Sequence, residues 1–73
     1  GCMKYLGIEI GGTKLQLAIG SGDGCLDHLW RTTIDPVQGA VGIRQQIQRG
    51  FSELLALAKV RMADLGGIGI GFG

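Results

Sequence analysis

Residues 5–20, YLGIEIGGTKLQLAIG, decide how the chain folds. Two apolar runs, at 4–10 and 15–20, place large aliphatic residues at alternate positions, the period of a half-buried strand. Gly11, Gly12, Thr13 and Lys14 stand between them, so the pair reads as a β-hairpin with a short glycine-rich turn. In the first strand Leu6, Ile8 and Ile10 share one face and Tyr5, Gly7 and Glu9 the other; in the second, Leu15, Leu17 and Ile19 lie together. A turn needs only the glycines. The acid before it and the Thr-Lys pair after it ask for a further reason.

The pattern extends outward from this hairpin. GSGDG at 20–24 is a turn signal, because glycine and aspartate tolerate positive φ, and a third strand is predicted over 25–34. Asp35-Pro36 is a helix-start or turn pair, and Gly39 and Gly42 place the start of the regular helix near residue 40. Ile43, Ile47, Phe51, Leu54, Leu55, Ala58 and Met62 then recur at steps of three and four, predicting an amphipathic helix lying on a sheet. Gly50 interrupts it at a cost of about 1 kcal/mol relative to alanine, which a close packing contact would explain. The chain closes with DLGGIGIGFG, where Ile68, Ile70 and Phe72 alternate with glycines to give a strand with one apolar and one bare face. The expected class is α/β, in the order β-β-β-α-β, with the last strand parallel to a meander strand after a right-handed crossover.

A chain of 73 residues makes one small domain, 1–73, whose core barely offsets the entropy of ordering it. Small independent domains usually add disulfides or a structural metal, and Cys2 and Cys25 form neither a CxxC nor a Cys/His ligand pattern. The expectation is therefore a piece of something larger, with Gly1 a remnant of tag removal. A net charge of +1 from scattered residues gives no electrostatic pointer to nucleic acid or a charged membrane. No apolar run approaches the eighteen or so residues of a membrane span, and a cytoplasmic protein is the default.

A turn built from Gly11, Gly12, Thr13 and Lys14 can cradle a phosphate, with exposed backbone N–H groups, a hydroxyl and a cation. Glu9, at the strand end where ligands gather in such sheets, would then share Mg²⁺ with the phosphates. The plainer alternative is a turn with Glu9 and Lys14 as a solvated cross-strand ion pair. A Walker loop and a Rossmann fingerprint both fail on spacing, because GGTK lies between strands. The glycine face at Gly67, Gly69 and Gly71 fits either tight helix packing or a close ligand.

GIEIGGTK at 7–14, followed by GIGIGFG at 67–73, resembles the amino-terminal segment of the ROK-family sugar kinases, which are glucokinase-like enzymes. The resemblance covers essentially the whole chain. It implies an incomplete β-β-β-α-β unit of the actin-like, hexokinase-like (ribonuclease H-like) ATPase fold, taken from the small lobe. It also implies that Gly11, Gly12, Thr13 and Lys14 match the first ATP phosphate loop, and that Glu9 stands where the family has an Asp serving a water-bridged Mg²⁺. Gly69, Gly71 and Gly73 match the start of the family's GxGxPG segment near the sugar, so Gly71 and Gly73 are substrate-proximal, with Phe72 where proline is expected. The implied activity is ATP-dependent phosphorylation of a hexose hydroxyl, with sugar and ATP as small-molecule partners. The family's catalytic Asp, zinc site and adenosine segment lie downstream, so the chain alone is expected to be inactive.

Two other classes remain open. A ROK-type sugar-sensing transcriptional regulator would carry a helix-turn-helix ahead of the first strand, which here begins at Lys4. A fragment that folds only as a homo-oligomer would bury its uncovered faces by symmetry. Elsewhere plain roles dominate: His28, beside Leu26, Trp30 and Thr32, is a structural or solvent-facing histidine, and Trp30 and Tyr5 are packing aromatics. Asp35 is a cap, Asp64 a loop charge and Cys25 a small strand residue.

Overall fold

The computed structural model describes residues 3–22 and 25–72. Gly1, Cys2, Asp23, Gly24 and Gly73 lie outside the described residues, so the tag reading of Gly1 and the sugar-side reading of Gly73 have no structural counterpart. Three strands, β1 (Lys4–Ile10), β2 (Lys14–Gly20) and β3 (Leu26–Thr33), precede a helix α1 (Gly39–Ala58) and a last strand β4 (Leu65–Phe72). Short 3-10 turns at Pro36–Gln38 and Met62–Asp64 flank the helix. The strands form one sheet in the order β3-β2-β1-β4, with β1 antiparallel to β2 and parallel to β4. The result is a small mixed α/β domain with one helix on a four-stranded sheet.

The alternation in the hairpin decides which face is covered. Leu6 and Ile8 of β1 and Leu15, Leu17 and Ile19 of β2 are buried together with Ile34 and, from the helix, Leu54. Ile43, Ile47, Phe51, Leu55 and Ala58 pack half-buried against them. The seam with β3 is close: a Cβ on Gly50 would run into the indole of Trp30, so the glycine that breaks the helical pattern is the price of that approach. Trp30 Nε1 donates to Glu53 Oε2 at 2.6 Å, tying β3 to the helix a second time.

Three local expectations are corrected. Met62 lies outside the helix, because Lys59 takes left-handed angles (φ 56°, ψ 41°) and ends it, its N–H and that of Val60 bonding back to the last turn. Cys25 stands exposed just ahead of β3 rather than within it. Glu9 lies opposite Gln16 and Gly71 in the sheet, and Lys14 opposite Thr33, so no Glu9–Lys14 ion pair forms. Other assignments stand as expected. Asp35 Oδ1 accepts from the Val37 N–H at 3.0 Å as a cap, and Gly22 in the β2–β3 turn uses positive φ (83°).

The helix lies over β2 and β3, leaving the same face of β4 open. Ile68, Ile70 and Phe72 are therefore 57%, 61% and 79% exposed. With Leu6, Phe51 and Met62, the two isoleucines line a trough of about 820 Å³ between helix and strand. Among the described residues no helix is long and apolar enough to cross a membrane.

Candidate functional site

The opposite face of the sheet carries Tyr5, Gly7 and Glu9 of β1, Gln16 and Ala18 of β2, and Gly67, Gly69 and Gly71 of β4. At its end sits the hairpin turn. Ile10 pairs with Leu15, so the reversal occupies Gly11, Gly12, Thr13 and Lys14. The Gly11 N–H donates to the Lys14 carbonyl at 2.8 Å, and the Ile34 N–H donates to the Thr13 carbonyl at 2.8 Å. The turn is thus closed on itself and fastened to the end of β3. In this arrangement the Gly11 N–H is engaged by the Lys14 carbonyl. The Gly12 and Thr13 N–H groups find no internal acceptor among the described residues.

The glycines of this turn are not there for the turn. Neither Gly11 nor Gly12 has positive φ, so the backbone does not ask for glycine at either position. A Cβ on Gly12 would have nothing within 4 Å, and one on Gly11 would meet only the Lys14 carbonyl at 3.7 Å, an ordinary contact. Gly7 and Gly69 on the open face likewise have nothing within 4 Å, and a Cβ on Gly71 would meet only Glu9 Cγ at 3.7 Å. Helix packing among the described residues therefore does not account for this bare strip.

The predicted residues are partly brought together. Glu9, Gly11 and Lys14 line one depression of about 250 Å³, joined by Gln16. Glu9 and Gln16 also line the adjoining groove of about 460 Å³ with Gly7, Ala18, Gly69 and Gly71. Gly12 and Thr13 project at the tip of the turn, outside both linings. Glu9 also differs from the other described acids. Asp27 pairs with Lys4, Asp35 caps, Glu53 accepts from Trp30 and Asp64 holds Arg61, whereas Glu9 has no hydrogen-bond or ion partner among the described residues. The Arg61 guanidinium and backbone N–H, both bonded to Asp64, hold its carboxyl below the ordinary value of 3.8.

Two residues escaped the sequence reading. Gln16 sits beside Glu9 in both depressions, and Arg31 Nε donates to its Oε1 at 2.9 Å. A two-residue hairpin register, counted outward from the turn, places Gln16 opposite Glu9, and that signal was available. The Arg31 bond depends on the β2–β3 register, which a turn of uncertain length conceals.

Among the described residues no three His, Cys, Asp or Glu side chains gather to hold a metal. If Mg²⁺ bound here, Glu9 would be the unpartnered described carboxylate to hold it, through water as is usual beside phosphates. The bare glycine positions leave the backbone of the turn open to a close approach from outside. No family model matches the chain, and no curated protein matches it.

Proposed function

We propose that this chain supplies the first phosphate-binding turn of an ATP-dependent sugar kinase like those of the ROK family, within the small lobe of an actin-like, hexokinase-like fold. The observation that carries this reading is the pair Gly11-Gly12, whose bareness is explained neither by left-handed φ nor by any neighbour. A ligand that must approach the backbone closely explains it, and phosphate is the ligand such a turn suits. In this reading the Gly12 and Thr13 N–H groups, the Thr13 hydroxyl and the Lys14 ammonium bind the phosphates. Glu9 holds Mg²⁺ through water. The ion would neutralise charge on the transferred phosphoryl group. With Glu9 engaged by the ion in this reading, none of the residues assigned here is left to act as general base for a sugar hydroxyl.

The test is titration of the chain with MgATP, following the backbone amides of Gly12 and Thr13 by NMR. Both are expected to shift, and Gly12→Val is expected to lose binding at least about tenfold while its fold is kept. Undiminished binding by Gly12→Val would sink the phosphate-turn assignment. In a longer chain that carries this segment and a general base, ADP release is expected to require a hexose. Release indifferent to hexose would rule out the sugar kinase.

A further inference from the structure

Gln16 lies on β2 two residues past Lys14 and on the same face, directly opposite Glu9 in the register. It borders the depression under the turn, the groove over the glycines, and a third hollow of about 310 Å³ that it shares with Lys14 and Arg31. A glutamine amide has an acceptor end and a donor end. A guanidinium has donors only, so the Gln16 atom 2.9 Å from Arg31 Nε must be the carbonyl oxygen. The Nε2 amide is therefore turned away from Arg31, and its two hydrogens find no acceptor among the described residues.

We propose that Gln16, oriented by Arg31, is a ligand-binding residue of the phosphate site that donates its side-chain amide to a phosphate oxygen at the turn. The proposal rests on the reading of that turn as a phosphate site and adds a donor beyond GGTK. Three placements support it. Gln16 is half-buried at the junction of the two depressions; its neighbours on the groove side, Gly7, Ala18, Gly69 and Gly71, leave the space before it clear; and Glu9, which faces it across the register and lines the same depressions, can only accept when ionised. A carboxylate alone would repel phosphate oxygens, and an amide donor beside it offsets that repulsion. Arg31 is a positioning residue: it fixes which end of the amide faces the ligand and lends its positive charge at one remove.

The 73-residue chain, labelled with ¹⁵N, is titrated with MgATP and separately with inorganic tripolyphosphate, and the Gln16 side-chain amide pair is followed beside the Gly12 and Thr13 backbone amides. The expected result is a shift of all three with both probes. Gln16→Leu is expected to weaken binding roughly tenfold, the loss of one hydrogen bond to a charged group, with the unfolding midpoint unchanged. Arg31→Leu should weaken binding about threefold and split the effect from stability, and Arg31→Lys, which keeps a donor to Oε1, should restore most of it. Shifts at Gly12 and Thr13 with a silent Gln16 side chain would overturn the role of Gln16 and leave the phosphate turn standing. No shift anywhere would overturn both. Equal loss in Arg31→Lys and Arg31→Leu would overturn the positioning role.

Discussion

At Gly50 the space a Cβ needs is filled by the indole of Trp30; at Gly12 the same space is empty to beyond 4 Å. Both glycines sit in well-formed local structure, and neither has positive φ. The first is explained inside the chain, by a helix brought close to β3. The second has no explanation inside the described chain. Glycine in a sequence is thus two different signals, and only what surrounds it in the fold separates them. A glycine whose neighbours fill the gap concerns stability, and a glycine whose gap stays open concerns what comes from outside.

The sharpest way to break this comparison is at the filled position. Gly50→Val should destabilise the fold by about 3 kcal/mol in chemical denaturation, the upper range for overpacking, despite the helix propensity gained over glycine. An unchanged midpoint would mean that the indole yields freely, and the contrast with Gly12 would disappear. Trp30→Phe tests the same seam more gently. Loss of the indole N–H bond to Glu53 should cost about 1 kcal/mol, and Gly50→Ala in that background should become less harmful than in the parent. Gly12→Val should leave stability within about 0.5 kcal/mol, since its side chain meets nothing and its backbone angle is unexceptional. A large loss of stability there would show a hidden structural demand.

The smallest expected effect lies at the 3-10 turn before β4. Asp64 has its carboxyl pKa lowered by its hydrogen bonds to Arg61, so the stabilisation it gives is present above 3.8 and fades as the pH falls through the folded-state value. In Arg61→Ala an NMR titration should return the Asp64 pKa toward 3.8. The exposed position of the pair makes the change in overall stability slight.

Much of the fold was legible because it depends on period. The alternation of Leu6, Ile8, Leu15, Leu17 and Ile19 named the buried face, and the spacing from Ile43 to Ala58 named the helix. The helix end was not legible. Lys59 stops it in a left-handed conformation with no glycine or proline to announce it, and a periodic Met62 extended the pattern past the true boundary. The pairing of Glu9 was misread for a different reason. Lys14 is near it in sequence, but with Ile10 opposite Leu15 the facing residue is Gln16. The exposure of Ile68, Ile70 and Phe72 could not be read at all, since alternation shows which side of a strand is apolar and not how far a helix reaches across the sheet.

The bond from Ile34 to the Thr13 carbonyl has a mechanical consequence. Ile34 is buried and immediately precedes Asp35, whose carboxylate caps the 3-10 turn that leads into the long helix. The tip of the hairpin is therefore braced like a beam pinned near its free end, and the pin is one residue from the cap of the 3-10 turn. Thr13 is thus joined to the start of α1 through Ile34, Asp35 and Pro36–Gln38, a path of one backbone bond and five residues of chain.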